Sequence, residues 1–298
     1  MYEPIDIEGK KLVGKGAHCE VYQMSEDRVL KLYFDHVPES EVLKEQKLAK
    51  LAVAEGLKTA GVYDIYRYHD RLGLMFEYIP TCTLTQYLID HRDEVDHYAK
   101  EFAKVAKSIH SIKDEGKLCG DYKVTLHERV RAVERLYTRR EIKKLNDLID
   151  AVPDRDTLLH TDFHPGNVMM RGKELVLIDM ADISRGHPIF DIASAYMGLV
   201  ILPRNIKKYG DTQTANLDID TTKRIWDVFI REYLGDDNSE QIELYEKCCE
   251  AITGLRICAA KRINNKGGET IGKKVVWISR FSIFPKLAGY RKLMDHLR

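Results

Sequence analysis

Between Leu158 and Ala193 three acids and an asparagine stand at fixed intervals, each beside apolar residues. The stretch reads Leu158-Leu159-His160-Thr161-Asp162-Phe163-His164-Pro165-Gly166-Asn167, then Leu177-Ile178-Asp179-Met180, then Gly186-His187-Pro188-Ile189-Phe190-Asp191-Ile192-Ala193. Apolar triplets such as Leu175-Val176-Leu177 predict short buried strands. An acid placed just past such a strand projects from a rigid edge, so its position is well defined. A metal-dependent phosphoryl transfer needs those parts: one carboxylate to position an attacking hydroxyl and accept its proton, and an asparagine with a second carboxylate to hold Mg²⁺ against nucleotide phosphates. Asp and Asn are also ordinary turn residues, and a lone Asp-x-x-x-x-Asn would carry no weight. The ordered set with its flanking residues does.

His160-x-Asp162-x-x-x-x-Asn167 followed by Ile178-Asp179 resembles the catalytic and metal loops of the protein-kinase-like superfamily. The closer resemblance is to its aminoglycoside phosphotransferase and choline kinase branch. There the first loop usually reads His-Gly-Asp-x-His-Pro-Gly-Asn, with Thr161 here in place of the glycine, and Gly186 to Ala193 matches the segment that follows the metal acid. The resemblance implies an α+β, bilobal, protein-kinase-like fold. Its first lobe, residues 1–79, would be a five-stranded antiparallel sheet with one helix, and residues 80–298 would form a mainly helical second lobe, with ATP between them.

The resemblance also implies roles. Asp162 would be the catalytic base, and Asn167 and Asp179 the Mg²⁺ ligands. Leu12-Val13-Gly14-Lys15-Gly16-Ala17-His18-Cys19 resembles a glycine-rich loop over the phosphates, with Cys19 departing from the third glycine. Glycine permits close approach of the backbone to an anion, hence Gly14 and Gly16. Lys31, inside the apolar run Val29–Tyr33, stands where the superfamily keeps its phosphate-binding lysine. A buried lysine requires a partner. Glu45, on a helix expected over 40–55 with Leu48, Leu51 and Val42 or Leu43 on its apolar face, is the first candidate, and Glu41 one turn earlier the second. The strand Leu72–Ile79 ends in Pro80, as a segment leaving a sheet does. By resemblance, backbone groups of Glu77 and Ile79 would meet the adenine edge, with their side chains of little consequence. His160 and Asp191 would brace the loop. His164 is assigned either to backbone or to phosphate, with a structural role preferred. Asp182 either faces an acceptor or serves a turn.

From Leu84 the apolar period becomes helical. Val95, Tyr98, Phe102, Val105 and Ile109 form one face, with His110 read as a packing residue. The charged run Lys123–Ile149 alternates in sign, which predicts a solvated helix pair ended by Pro153 rather than a nucleic-acid patch. Ile225, Trp226, Phe229, Ile230 and Tyr233 form a stripe stopped by Gly235, and Ile242, Tyr245, Cys249 and Ile252 form the next. These helices, by resemblance, build the acceptor wall. Lys261-Arg262, Lys266, Lys273-Lys274 and Arg280 make the last third basic.

The 298 residues balance 47 basic against 47 acidic side chains, so no global field attracts nucleic acid or a membrane. Six cysteines without a Cys-x-x-Cys pair read as free thiols of a reducing cytoplasm. The first residues lack the basic-then-apolar pattern of a signal peptide, and no apolar run approaches the ~20 residues of a membrane span. The expected activity is therefore transfer of the γ-phosphate of ATP, with Mg²⁺, to a hydroxyl of a small molecule. A sugar or amino alcohol is preferred to an aminoglycoside, because the C-terminal third is not strongly acidic. Two alternatives stand beside it. A protein serine/threonine kinase is disfavoured by the short Asp179–Asp191 segment without Ala-Pro-Glu. An inactive nucleotide-binding regulator is disfavoured because each expected catalytic position holds a competent residue type.

Overall fold

The computed structural model describes residues 2–16, 18–204, 217–260 and 279–297. Of the basic residues in the last third, Lys261, Arg262, Lys266, Lys273 and Lys274 lie outside these. The chain divides into two compact units, Met1–His91 with Pro165–Ile183, and Arg92–His164 with Ser184–Arg298. This division does not coincide with a boundary after Ile79: Pro165–Ile183 packs with the N-terminal residues although it lies far along the chain.

The first unit is built on a six-stranded sheet in the order β1-β5-β6-β4-β3-β2. Its strands are β1 (Glu3–Pro4), β2 (Lys11–Lys15), β3 (Cys19–Gln23), β4 (Arg28–Tyr33), β5 (Val62–Tyr68) and β6 (Arg71–Glu77). Five pair antiparallel, as expected. The sixth, β1, joins parallel to the edge of β5. Two residues ending in proline carry no periodicity to read, and proline lacks a ladder donor, which restricts it to such an edge. One helix, α1 (Glu39–Ala54), turns Val42, Glu45, Leu48, Ala49 and Ala52 inward, while Leu43 remains exposed. Leu30, Leu32 and Leu74 are fully buried in the sheet. The same unit contains α2 (Leu84–Asp90) and the hairpin β9 (Val168–Arg171) with β10 (Glu174–Leu177). The hairpin is stitched to the N-terminal residues by Ala60 N–H to the Leu177 carbonyl at 3.2 Å and Leu177 N–H to the Lys58 carbonyl at 2.8 Å.

The second unit is mainly helical. It holds α3 (Val95–Ser111), α4 (Tyr122–Ala132), α5 (Arg139–Ala151), α6 (Ile189–Tyr196), α7 (Ile219–Leu234), α8 (Ser239–Cys258) and α9 (Phe284–Leu293). A small sheet, β7 (Gly120–Asp121), β11 (Ser184–Gly186) and β8 (Thr157–Leu159), completes it. The charged run 123–149 is indeed two helices. They are divided by a 3₁₀ turn at Glu134–Leu136 and restarted by a capping box between Thr138 and Glu141. The stripe on α7 stops at Gly235, whose φ of 67° supplies the left-handed C-cap. Phe102 of α3 stacks on Phe163 at 4.4 Å, and Phe229 of α7 lies 5.1 Å from Phe102. Among the described residues no helix is long and apolar enough to cross a membrane.

His187 closes the end of this unit. Its Nδ1 accepts the Ile189 N–H at 3.1 Å, and its Nε2 lies 3.1 Å from the Leu297 carbonyl, which fixes the proton on Nε2. Burial pushes its pKa down to about 4 from 6.5. Between those values the unfolded chain binds a proton that the folded chain refuses, so stability falls as pH drops from about 6.5 to about 4 and is unaffected by this group above that range. The loss is at most about 3 kcal/mol. Urea unfolding at pH 7 and pH 5 is expected to show a larger loss for the wild type than for His187→Gln. Equal losses would remove His187 from the account.

Candidate active site

In the first unit, β4 brings Lys31 and α1 brings Glu45 face to face. Lys31 Nζ lies 2.6 Å from Glu45 Oε1 and 2.9 Å from Asp179 Oδ1. Tyr33, two residues along β4, donates its hydroxyl to Glu45 Oε2 at 2.7 Å. Glu45 is buried at 3% exposure, so its charge requires these two donors. Burial alone would lower the Lys31 pKa. The adjacent Glu45 and Asp179 carboxylates outweigh it and hold the amine protonated above the ordinary lysine range. Glu45, not Glu41, is therefore the partner of Lys31.

Asp179 stands just past β10 with φ of +65°, a left-handed conformation uncommon for a residue with a side chain. Its side chain is 46% exposed. The Asn167 carbonyl accepts the Ile178 N–H at 3.0 Å, which ties the asparagine's loop to the residue before Asp179. Asp182 pairs with Lys44 of α1 at 3.6 Å. Gly14 lies within β2 and Gly16 just past its end, neither with positive φ. A Cβ at Gly14 would meet Val21 at 3.5 Å, and one at Gly16 would meet Cys19 Sγ at 3.5 Å. Backbone sterics do not demand glycine at either position. The Glu77 N–H is engaged by the Gly61 carbonyl at 2.7 Å and the Ile79 carbonyl by the Thr81 N–H at 2.8 Å. The Glu77 side chain, expected to matter little, accepts from Gly61 N–H at 3.0 Å and pairs with Arg171 at 2.7 Å. Ile79, Ala60 and Val176 form an apolar cluster with Met169 and Ile178.

In the second unit, Asp162 sits on a loop held from several sides. Phe163 points inward into its aromatic stack with no exposure, and Asp162 keeps a side chain 52% exposed. Asp191, fully buried, accepts the His160 N–H at 2.8 Å and the Thr161 N–H at 2.6 Å. His110 is more than packing. It lies 3.2 Å from Asp191 through Nε2 and 2.8 Å from the Tyr233 hydroxyl through Nδ1. His164 Nε2 is 3.6 Å from Asp162 Oδ2. Arg256 of α8 reaches the same loop, its Nη2 3.7 Å from Asp162 Oδ1. Burial raises the Asp162 pKa, but the hydrogen bond and charge of His164, then Arg256 and His160, override it and hold the carboxyl well below the ordinary range. Thr161 adopts φ of +68°, where the resembled branch places glycine.

The contacts of Arg256 with the Asp162 loop and of Tyr233 with His110 do not show in the sequence. Arg256 had a signal: one guanidinium inside the run Ala251-Ile252-Thr253-Gly254-Leu255-Arg256-Ile257-Cys258, where an unpartnered charge would be costly.

The sequence profile described as "Phosphotransferase enzyme family" matches residues 11–218. The chain belongs to that family. No curated protein sequence matches, but solved structures do. The aminoglycoside phosphotransferase APH(2'')-Ib with ADP bound is 17% identical, with a TM-score of 0.58 over 96% of this chain and 94% of that one. A choline/ethanolamine kinase family protein from Mesorhizobium loti is 12% identical, with a TM-score of 0.57 over 97% and 92%. The amicoumacin kinase hAmiN, in complex with AMP-PNP, Ca2+ and Ami, is 14% identical, with a TM-score of 0.56 over 99% and 90%. At these identities the likeness shows the fold. Together with the family it makes the chain a kinase-type phosphotransferase built on the aminoglycoside phosphotransferase fold.

Proposed function

We propose that this phosphotransferase moves the γ-phosphoryl group of ATP to a hydroxyl of a small molecule, with Mg²⁺. The observation that carries the proposal is the position of Lys31 between Glu45 and Asp179. A protonated amine braced by a buried acid suits the α- and β-phosphates as a fixed positive charge. The same amine sits on Asp179 as a cation, so that carboxylate already stands where positive charge is stabilised. Asp179 and Asn167 offer hard oxygen ligands. Mg²⁺ commonly takes few of these from protein and the rest from water and phosphate, and when bound it would neutralise phosphate charge. Gly14 and Gly16 place no side chain of their own between their backbone and a phosphate. For the adenine edge we assign the carbonyl of Glu77 and the N–H of Ile79, because the Glu77 N–H, the Tyr78 N–H and the Ile79 carbonyl are bonded to Gly61, Asp27 and Thr81. Neighbours solved with ADP and with AMP-PNP support an adenine nucleotide as donor.

Asp162 orients the acceptor hydroxyl and takes its proton as the oxygen attacks. Its half-exposed side chain and ionised state suit that role. The C-terminal third of the chain is not strongly acidic, which favours a sugar or amino alcohol over a polycationic aminoglycoside.

Two linked measurements test the reading. Calorimetry is expected to show ATP binding that depends on a divalent ion, and equal affinity in chelator would remove the metal role from Asn167 and Asp179. Label from [γ-³²P]ATP is expected to reach a member of a panel of sugars and amino alcohols. Label found in generic protein substrates instead would overturn the acceptor class.

A further inference from the structure

Thr161 is a β-branched residue at φ of +68°. A left-handed conformation costs an L-residue roughly 1–2 kcal/mol, and such residues persist where their surroundings over-determine them. Both backbone groups of Thr161 are held. Its N–H donates to Asp191 Oδ1 at 2.6 Å, and its carbonyl accepts from Arg256 Nη1 at 2.8 Å. The second partner comes from α8, beyond the residues matched by the family. The Arg256 side chain is 10% exposed. Nη1 also lies 3.5 Å from the Phe190 carbonyl, while Nη2 faces Asp162 Oδ1 at 3.7 Å. Gly254, two residues earlier on α8, has no room for a side chain, since a Cβ would stand 2.9 Å from Ile283 Cγ2. Close packing at that point limits how α8, and so Arg256, can shift.

We propose that Arg256 is a positioning residue for the reaction: one guanidinium fixes the left-handed turn at Thr161 and, through its second nitrogen, aims the Asp162 carboxylate. The groups facing that carboxylate divide the work. Oδ2 meets His164, which carries charge only when protonated, and Oδ1 meets Arg256, which carries charge always. His160 contributes through Nδ1, 3.4 Å from the Asp162 N–H. Of these three groups, Arg256 is thus the permanent cation. A carboxylate beside such a charge has its pKa lowered by about 1–3 units, and the same contact restricts its rotamers. The inference rests on Asp162 being the base, yet its first readout does not require turnover.

The test uses the full chain carrying Arg256→Gln, Arg256→Lys, Thr161→Gly and the double variant Thr161→Gly/Arg256→Gln. Asp162 is followed by ¹³C NMR of labelled aspartates, assigned with Asp162→Asn. In the wild type the Asp162 carboxyl is expected to stay ionised down to the pH at which the fold is lost. In Arg256→Gln it should titrate within the folded range, its midpoint raised by about one unit or more. Arg256→Lys, which keeps the charge, should leave the midpoint close to the wild-type one. On an accepted alcohol, Arg256→Gln should lower kcat at least tenfold with KM for ATP unchanged. Thr161→Gly removes the strained side chain and keeps the Gln variant foldable. It should recover Tm in the double variant but neither kcat nor the midpoint. An unmoved midpoint in Arg256→Gln overturns the proposal, as does full recovery of kcat in the double variant, which would reduce Arg256 to a brace for Thr161. Failure to find any turnover would count against phosphoryl transfer while leaving the titration to decide the Arg256–Asp162 coupling.

Discussion

Asp162→Asn is expected to lower kcat by about 10²–10⁴, the usual loss when a general base is removed, with Mg·ATP affinity near that of the wild type. Asparagine keeps the shape of the side chain and a hydrogen-bonding oxygen but accepts no proton. The loop itself should persist. Phe163 anchors it in the aromatic stack, and Asp191 holds the His160 and Thr161 N–H groups, neither of which depends on the Asp162 charge. The wild-type carboxyl lies well below the ordinary range. It is therefore fully ionised above about pH 4, the ordinary aspartate value, and an acid limb of the rate profile above that pH belongs to another group. So acidic a carboxylate is a weak base, which suits a loose phosphoryl-transfer transition state in which positioning of the hydroxyl counts for more than early proton removal. Paired titrations with Mg²⁺ and ATP alongside kcat decide the matter. Loss of metal-dependent nucleotide binding in Asp162→Asn, with that binding kept in Asp179→Asn, would show the two roles to be exchanged.

Asp179→Asn should fail differently, losing divalent-dependent nucleotide binding as well as rate. Removing a group that merely orients a metal ligand typically costs 10–100-fold in affinity; loss of a ligand's own charge should cost at least about 100-fold. Asparagine tolerates the left-handed conformation that Asp179 adopts, so the substitution is matched to the backbone and a collapse of the fold would be unexpected. Lys31 would keep its contact to Glu45 at 2.6 Å and lose the charge of its second partner. Calorimetry over a range of Mg²⁺ concentrations gives the answer. A variant whose ATP affinity still rises with Mg²⁺ as the wild type's does would release Asp179 from the role.

The sheet, α1 and the loop acids were legible because each depends on local signals. Alternating or continuous apolar runs mark strands, Val29–Tyr33 carries its one lysine inside, and Gly235 stops α7 by backbone conformation alone. The Lys31–Glu45 pair could be narrowed to two glutamates one turn apart. Burial of Val42 and Leu48 with Glu45 between them decides the register, a packing fact absent from composition. What was not legible is contributed by partners distant in the chain. Nothing near His110 announces Tyr233, 123 residues later, and Arg256 is 94 residues after Asp162, at 3.7 Å. The Glu77 side chain matters because β9 brings Arg171 to it, and no property of the 77–79 segment encodes that meeting. Strain escapes the sequence for a related reason. Thr161 and Asp179 look ordinary as letters, and only the backbone shows both in a conformation that side chains avoid.

The bracing of the Asp162 loop, by Arg256 of α8 directly and by Tyr233 of α7 through His110 and Asp191, bears on how this protein can diversify. Tyr233 and Arg256 belong to helices that lie beyond the family-matched residues 11–218, in the part of the chain that the family resemblance would make the acceptor wall. A graft of α7 and α8 from another phosphotransferase, made to import its preference for a different alcohol, would also discard the guanidinium at Thr161 and the hydroxyl at His110. On the proposed reading, acceptor choice and alignment of Asp162 are inherited together, so new specificities should emerge through substitutions that spare these two contacts rather than by exchange of whole modules.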